Sequence, residues 1–463
     1  MPWWLGAIGA YQRWSNSVVL LERIRRLCDS HSKVIALLLI VMGVVERTIW
    51  LQYHTDNKNS LGEAFNVAAS VARNGTVADT FGKGSGLSAH FTPVLPMLAG
   101  YLYRIFGLQS FTADTILTIF SMSCVLGTGF LLFLCLERLG TPAIWRLIAL
   151  GLFCMLPLFP HLETVMFRIW EGALASLLSA WILLRMLDAD RLRIFAVKPW
   201  IVTSFIAAFL FFLNPPSGLA CFAMMGIWLL RQRPFRTWPG YAALSALALV
   251  LVLAPWTIRN YEAFGRFIPL RSNMGLELAL ANHPAAVSGK NAQVVFETRL
   301  HTIHPQTSRP AFDKMEAMGG ERVYADTLGA ETKQWIRNNP AAFATLSLRH
   351  LFQFYFPPQW QWELYNGVNS AMTLKLSLTW LFSALGLIGA LAGLFVWRGL
   401  YLYPAALVLV TVLPYMVVQP ILRYHYLIYA ITLFLGIDLI RRCVEAVLPV
   451  RKQMASAIAP NRR

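Results

Sequence analysis

Charged residues are scarce in this chain. They make up 14% of its 463 residues, whereas 57% of the residues are apolar. A soluble domain carries about 25% charged residues, so the shortage excludes an ordinary cytosolic globular protein. The 13% of aromatic residues and the lack of a fixed repeat exclude a disordered, collagen-like or coiled-coil chain. The composition therefore predicts an all-α polytopic membrane protein.

Cysteine is also scarce, and its placement excludes a disulfide framework. Of the six cysteines, four lie within apolar runs, and no two have the spacing of metal ligands. They are predicted to be small apolar fillers. The N-terminus has no basic n-region before its apolar stretch, so residues 1–33 are predicted to be a retained cytoplasmic or interfacial segment and not a signal peptide.

The apolar residues form runs that are long enough to cross a bilayer, which takes about 20 residues. The predicted spans are residues 34–52, 112–136, 142–160, 168–187, 199–214, 216–230, 239–258, 373–397, 401–419 and 422–440. The stretch 92–107 is shorter and contains Pro93 and Pro96. If it does not cross, most basic clusters fall on the cytoplasmic side, as the positive-inside bias requires. It is therefore predicted to be a juxtamembrane helix on the outer face, which leaves about ten spans.

The net charge of +17 requires no nucleic acid. Basic residues at the inner ends of spans face anionic membrane lipids, and this placement explains much of the excess. Two predicted outer segments, 53–91 and 259–371, are too polar for the membrane, and the second contains a predicted helix from Arg322 to Ile336. The predicted organisation is an N-terminal segment 1–33, a transmembrane core 34–258 with the loop 53–91 and the helix 92–107, a large periplasmic loop region 259–371, C-terminal spans 372–440 and a basic cytoplasmic tail 441–463.

Ionisable side chains near the membrane are the candidates for chemistry, because charge at membrane depth is costly. In the first outer loop these are Asp56 and Glu63. Glu63 opens a predicted amphipathic helix that ends near Arg73, and its alternative interpretation is a plain acid at a helix start. His90 stands where the loop returns to apolar surroundings, and a packed histidine is the plainer interpretation there.

The other predicted outer connections supply two acids and an arginine. Glu163 and Glu171 lie in PHLETVMFRIWEGAL, and the plainer interpretation of Glu171 is an ion pair with Arg168, three residues earlier. Arg423 lies in VVQPILRYHYLIY, next to Tyr424 and His425. An arginine at this place binds a phosphate through two donors, or it contacts lipid head groups.

Four segments carry a resemblance to a known family: GEAFNVAASVARNGTVADTFG, GLSAHFTPVLPMLAGYLYRIFG, APWTIRNYEAFGRFIPLRSNMGLELALANHPAA and RYHYLIY. They resemble a bacterial group within the GT-C superfamily of integral-membrane glycosyltransferases, which includes the protein O-mannosyltransferases and the lipid A aminoarabinose transferase. The resemblance covers roughly residues 34 to 440. It implies transfer of a sugar from a polyprenyl-phosphate-linked donor to a lipid, polysaccharide or protein acceptor at the periplasmic face of the inner membrane.

The resemblance also implies roles for single residues. It places the first-loop catalytic acid on Glu63, with Asp56 as the competing match, and the second acid on Glu171 or Glu163. The arginine near the donor phosphate falls on Arg423.

Two further candidates for that phosphate are His425 and Arg259. The first loop departs from the protein mannosyltransferases because it has no adjacent Asp–Glu or Asp–Asp pair, so a divalent metal ion and a protein acceptor stay open. A surface-polysaccharide polymerase or ligase is the alternative function, and a transporter, which typically shows paired repeats, is the more distant one.

Overall fold

The structure is a computed structural model that describes residues 3–54, 62–192, 197–366 and 371–458. The regular elements within these ranges are helices, without a β-strand, as the composition predicts. The α-helices are α1 (Trp3–Tyr53), α2 (Glu63–Asn74), α3 (Val94–Phe106), α4 (Phe111–Arg138), α5 (Ala143–Met155), α6 (Pro160–Thr164), α7 (Gly172–Leu192), α8 (Val197–Leu213), α9 (Pro215–Gln232), α10 (Trp238–Phe264), α11 (Met274–Ala281), α12 (Pro284–Ser288), α13 (Ala292–Ile303), α14 (Arg309–Ala317), α15 (Glu321–Asn338), α16 (Pro340–Tyr355), α17 (Gln359–Asn366), α18 (Met372–Ala392), α19 (Leu402–Thr411) and α20 (Leu422–Ile458).

Several of these helices can cross a membrane, so the chain is a multi-pass membrane protein. By length and composition the spans within the described residues are Arg25–Tyr53, Phe111–Arg138, Gly172–Leu192, Phe235–Phe264, Met372–Trp397 and Gly399–Met416. A seventh arises if Ala143–Met155 and Pro160–Arg168, which are bent by 79° to each other, count as one. The prediction of ten spans is therefore not confirmed. The predicted juxtamembrane helix is α3, which is apolar and 13 residues long.

The membrane helices bury one large apolar core, in which α4 packs on α7, α1 on α5, α9 on α19 and α18 on α20. The contact between α18 and α20 depends on glycine. A Cβ atom on Gly386 would lie 2.4 Å from the Cα atom of Thr432, so the two backbones touch there. Small residues permit such close approach between helices in membranes, where packing rather than the hydrophobic effect drives association.

The amphipathic helix predicted from Glu63 to Arg73 is confirmed as α2, which places Glu63 in its first turn. Gly75 ends the helix in the left-handed conformation, with φ +72°, as glycine commonly does at a helix C-terminus. α2 lies directly on α3, because a Cβ atom on Gly100 would be 2.6 Å from the Cβ atom of Val71. This close packing fixes Glu63 relative to the juxtamembrane helix.

A second, smaller core lies outside the membrane bundle and involves α11, α13, α14 and α15. Phe81 of the first loop is part of it, so the first loop and the long loop region form one surface. The helix predicted from Arg322 to Ile336 is confirmed as α15. We call the end of the bundle that carries α2, α3 and this second core the loop-bearing face. The domain boundaries, and the periplasmic position of this face, stay predictions.

Candidate active site

Glu63 meets two histidines on the loop-bearing face. Its Oε1 atom lies 3.0 Å from the Nε2 atom of His304 and 3.6 Å from the Nε2 atom of His90. Glu63 comes from the start of α2, His90 from the loop before α3 and His304 from the end of α13. We call these three residues the Glu63 cluster. Three separate segments thus bring one carboxylate and two imidazoles together.

A network of hydrogen bonds holds the backbone beside His90. The Glu321 carboxylate, at the start of α15, accepts from the Ser88 hydroxyl at 2.8 Å, from the Ala89 amide at 2.7 Å and from the Ser272 hydroxyl at 3.0 Å. Arg259 donates to the carbonyl oxygen of Ser88 at 2.7 Å. Because these bonds satisfy buried polar groups on both sides of Ser88, they fix the direction in which His90 leaves the loop.

Arg259, a predicted candidate for the donor phosphate, is part of this network in the structure. Besides its bond to Ser88, its guanidinium donates to the carbonyl oxygen of Val77 at 2.8 Å and to the side chain of Asn260 at 2.9 Å. It also lies over the ring of Trp256 at 4.9 Å. These contacts give Arg259 a positioning role for the first loop.

The charges in the Glu63 cluster follow from burial and from mutual contact. Burial opposes ionisation of Glu63, but His90, His304 and Arg423 oppose that effect and lower its pKa to about 2. Burial likewise lowers the pKa of His90 to about 4. For His304 the effect of burial is outweighed by Glu63 and Glu277, so its pKa is raised. At neutral pH the cluster therefore holds an ionised Glu63 and a neutral His90, while the contact with Glu63 favours the protonated form of His304.

A second carboxylate near the cluster shifts in the opposite direction. Burial raises the pKa of Glu277, and the negative charge of Glu63 raises it further, while Arg423, His304 and Arg271 act against this. Glu277 lies on α11 and accepts from the side chain of Asn273 at 3.3 Å. Two carboxylates whose pKa values are pushed apart by their surroundings are typical of acid–base sites.

Arg423 reaches the same region from the start of α20. Its guanidinium carbon lies 3.7 Å from the centroid of the Trp170 ring, and its Nη2 atom lies 3.5 Å from the Tyr424 hydroxyl. Its charge acts on Glu63, His90 and Glu171, lowering the pKa of each. Arg423 shares a cavity with Glu171 and Tyr424, and its charge reaches Glu63 and His90; the catalytic and phosphate-binding roles of these residues stay predictions.

Glu171 has a different partner from the one considered in the sequence analysis. Its Oε1 atom accepts from the Nη2 atom of Arg271 at 2.7 Å. The alternative of an ion pair with Arg168 is wrong, because Arg168 pairs with Asp114 at 3.1 Å instead. A largely buried carboxylate needs a cation to offset the loss of water, and the loop after α10 supplies it.

Two predicted candidates are not brought to the Glu63 cluster. Glu163 is fully buried, and its two carboxylate oxygens contact the Nε atom of Arg47 at 2.8 Å and the Tyr426 hydroxyl at 2.9 Å. His425 is buried with its Nδ1 atom 2.8 Å from the carbonyl oxygen of Phe354. Both make contacts inside the helix bundle. The competing first-loop acid, Asp56, lies outside the described residues.

Three residues of the site escaped prediction: His304, Glu277 and Arg271. Arg271 and Glu277 lie in the third of the four segments that carry the resemblance. They lie away from the predicted span ends, to which the other candidates belong. His304 lies in the polar stretch LHTIHPQTS, far along the chain from Glu63. No spacing rule relates two loops that meet only through tertiary packing.

The site is nearly closed. The cavity beside Arg423, lined also by Trp170 and Glu171, has a volume of about 10 Å³, which is close to the space for one water molecule. A second cavity of about 10 Å³ lies between Glu171 and α3. Neither cavity holds a ligand much larger than a water molecule in this structure.

A divalent metal ion needs several oxygen or nitrogen ligands arranged around one point. Within the described part of the chain, no three His, Cys, Asp or Glu side chains have that arrangement. The described residues therefore do not fit such an ion.

Comparison with known proteins gives a fold. No protein-family model and no curated protein matches the chain. Among solved structures, the apo form of the Archaeoglobus fulgidus oligosaccharyltransferase aligns with a TM-score of 0.50 and 12% identity, over 93% of this chain and 52% of that chain. Its complex with zinc and sulfate aligns with a TM-score of 0.49 and 12% identity, over 92% of this chain and 51% of that chain.

A third structure is the archaeal oligosaccharyltransferase AglB from Archaeoglobus fulgidus with an inhibitory peptide and a dolichol-phosphate. It aligns with a TM-score of 0.49 and 13% identity, over 93% of this chain and 52% of that chain. The chain thus spans about half the length of the solved proteins that it is similar to. At 12% identity the likeness to the apo form concerns the fold alone.

Proposed function

We propose that this protein is a membrane glycosyltransferase that uses a polyprenyl-phosphate-linked sugar donor. The observation that carries the proposal is the placement of an ionised carboxylate, Glu63, beside two histidines and the ring-stacked Arg423 on one face of a membrane bundle. The segment resemblance and the shared fold point in the same direction. A lipid phosphate that rests at the membrane surface meets this face with its tail among apolar helices.

The reaction is a displacement at the anomeric carbon of the donor. A hydroxyl of the acceptor attacks this carbon, the bond from the carbon to the phosphate oxygen breaks, and its electron pair leaves with the lipid phosphate. The acceptor proton passes to the carboxylate of Glu63. The products are a glycoside and a polyprenyl phosphate, and a single displacement inverts the configuration.

Glu63 suits this step although its pKa is low. The acceptor hydroxyl becomes strongly acidic once its bond to carbon forms, so a weak base is sufficient to take its proton. The transition state of glycosyl transfer resembles an oxocarbenium ion, and the fixed negative charge of Glu63 stabilises it. His304, whose Nε2 atom lies 3.0 Å from the carboxylate, holds it in one orientation.

Arg423 suits the leaving group. The lipid phosphate gains negative charge as the bond breaks, and a preorganised cation at that point lowers the barrier. Stacking on Trp170 keeps the planar guanidinium in place. Glu171 lines the cavity beside Arg423, and its ion pair with Arg271 adds a second arginine behind that carboxylate. We place this face of the protein in the periplasm, in line with the charge distribution of the sequence.

The test is transfer of a labelled sugar by purified protein in lipid, from a panel of polyprenyl-phosphate monosaccharides with a total envelope lipid extract as acceptor. Glu63→Gln is expected to lower transfer at least about 100-fold, as loss of a general base typically does. Glu316→Gln is the matched control, because Glu316 is exposed at the end of α14.

Equal transfer by Glu63→Gln and the wild type would exclude Glu63 as the base and leave the enzyme class in place. Absence of transfer from every monosaccharide donor, combined with transfer from a lipid-linked oligosaccharide, would instead establish the polysaccharide polymerase or ligase.

A further inference from the structure

A cleft of about 350 Å³ opens on the loop-bearing face, between the loop that follows α10 and helix α15. Among the described residues that line it, four are cationic and one is anionic. These are Arg266, Arg271, Arg322 and Lys333, against Asp326. We call this space the basic cleft. None of these residues except Arg271 contributes to the site described above.

The single acid of the basic cleft does not balance its cations. Asp326 pairs with Arg322 one helical turn away, at 2.9 Å, and its side chain is largely exposed. Arg266 and Lys333 are exposed at the opposite sides of the cleft. A concave surface that collects several charges of one sign concentrates ligands of the other sign, so the cleft suits an anion.

Arg271 gives a second, independent indication of an anionic ligand. Its Nη2 atom is used by Glu171 at 2.7 Å and by the carbonyl oxygen of Leu213 at 2.9 Å. Its Nε atom is buried and has no hydrogen-bond partner in the structure. A buried donor without an acceptor is costly, and Arg271 lines the cleft. An oxygen of a bound anion would supply the missing acceptor.

The wall of the cleft is a built feature of the fold. Gly275 on α11 lies against α15 so closely that a Cβ atom would come 1.9 Å from the carbonyl oxygen of Ala325 and 3.1 Å from the amide nitrogen of Gly329. Because the backbones of α11 and α15 already touch at this point, the two helices cannot move closer together. The cleft beside the contact therefore keeps its volume. The cations on α15 and on the loop therefore face each other across a fixed gap.

The rim of the cleft is apolar and adjoins the membrane. Phe267 is 76% exposed and Met274 is 54% exposed, and both line the cleft. Phe267 follows closely after the membrane span Phe235–Phe264, whose last turns expose Ile258 and Tyr261, and Met274 begins the next helix, α11. A ligand at this place contacts an apolar surface that leads toward the bilayer and a cationic pocket above that surface. An anionic phospholipid matches both, with its acyl chains on the apolar surface and its phosphate in the pocket.

We propose that the basic cleft binds the phosphate head group of an anionic membrane phospholipid, with its acyl chains along Phe267 and the end of α10. Head-group oxygens contact Arg322, Lys333 and the Nε atom of Arg271. Because Arg271 also pairs with Glu171, the bound lipid touches the candidate active site through a single side chain. The binding itself does not depend on the proposed transfer reaction.

The test measures lipid binding by native mass spectrometry of the purified full chain, released from detergent with added lipid. We expect phosphatidylglycerol to bind at least about 10-fold more tightly than phosphatidylcholine with the same acyl chains. One cation near an anionic surface is worth about 1 kcal/mol, or about five-fold in affinity. Arg322→Gln combined with Lys333→Gln is therefore expected to weaken phosphatidylglycerol binding about 25-fold.

The matched control is Arg309→Gln, because Arg309 forms the same kind of ion pair, with Asp313 at 2.9 Å, on the neighbouring helix α14. It is expected to leave phosphatidylglycerol binding unchanged. Asp326→Asn is a further variant that tests the opposite direction, because it removes the one acid of the cleft and is expected to tighten binding about five-fold.

Three results would overturn the proposal: equal affinity for the two lipids, an equal loss of affinity in Arg309→Gln, or displacement of phosphatidylglycerol by millimolar inorganic phosphate, which would identify a site for free anions. No sugar donor is present in this experiment. A protein that binds the lipid but transfers no sugar would therefore refute the proposed function and leave the lipid site intact.

Discussion

The Nε2 atom of His304 lies 3.0 Å from the Oε1 atom of Glu63, so a contact joins the first loop to the end of α13. Glu63 and Glu277 raise the pKa of His304 against the effect of burial. His304 and Arg423 in turn favour the ionised form of Glu63. The charge state of the candidate base thus depends on a residue from a distant part of the chain.

The pairing of His304 with Glu63 predicts a loss of stability at alkaline pH. The folded-state pKa of His304 is raised above its usual value of about 6.5. The stabilisation is therefore fully present below pH 6.5 and is lost as the pH rises through the raised pKa. We expect the melting temperature to fall more between pH 7 and pH 9 in the wild type than in His304→Gln, measured by tryptophan fluorescence in detergent.

The control for this comparison is His301→Gln. His301 lies on the same helix and is exposed, so its removal leaves the pH dependence of the wild type in place. A His304→Gln variant with the full alkaline decline of the wild type would show that the contact with Glu63 does not contribute to stability.

The burial of His90 predicts a loss of stability at acidic pH. Burial lowers its pKa to about 4, whereas the unfolded chain binds the proton near pH 6.5. Stability is therefore present above pH 6.5 and is lost as the pH falls toward 4. The total change approaches about 3 kcal/mol, since one pKa unit corresponds to about 1.4 kcal/mol.

We expect His90→Gln to reduce the decline in melting temperature between pH 6.5 and pH 4. The measurement is the same fluorescence experiment at acidic pH, again with His301→Gln beside it. A decline of the same size in all three proteins would mean that His90 is not held neutral by burial.

Local sequence patterns predict the parts of this structure that depend on neighbours in the chain. The helical spacing of apolar residues after Glu63 predicts α2, because one face of that helix must be buried. In the structure this face packs on α3. The helical stretch predicted from Arg322 to Ile336 is likewise present, as α15. The sequence also singles out Glu63 and Arg423 as candidates, since charged residues near a membrane are rare enough to stand out.

The remaining parts of the site depend on contacts between distant segments. The ion pair of Glu171 with Arg271 was not predicted, because the spacing of three residues favoured Arg168 as the partner of Glu171. In the structure Arg168 pairs with Asp114. His304 was not predicted because no local sequence pattern indicates that it contacts Glu63. Glu163 was misleading for a related reason: its burial requires a partner, and that partner, Arg47, lies inside the bundle.

Arg423 predicts a graded effect of substitution on transfer. Arg423→Gln removes the charge beside the donor phosphate and is expected to lower the transfer rate about 100-fold or more. Arg423→Lys keeps a charge but loses the planar group that stacks on Trp170 at 3.7 Å, so its loss is expected to be smaller, with a higher KM for the donor.

The measurement is transfer of labelled sugar at several donor concentrations, with Arg337→Gln as a control, because Arg337 is exposed in the last turn of α15. A lysine variant with an unchanged KM would indicate that the charge alone is sufficient. Unchanged transfer by Arg423→Gln would remove this residue from the donor site.

The ion pair of Glu171 with Arg271 predicts a strong coupling between two substitutions. Glu171→Gln and Arg271→Gln each leave a largely buried charge without its partner, which typically costs about 3–5 kcal/mol. The double variant removes both charges and is expected to lose less stability than the sum of the two single variants, by at least about 1 kcal/mol in chemical unfolding. The matched cycle pairs Glu171→Gln with Arg168→Gln. Because Arg168 contacts Asp114 and not Glu171, these two losses should add, and a coupling in this second cycle that equals the first would contradict the pairing seen in the structure.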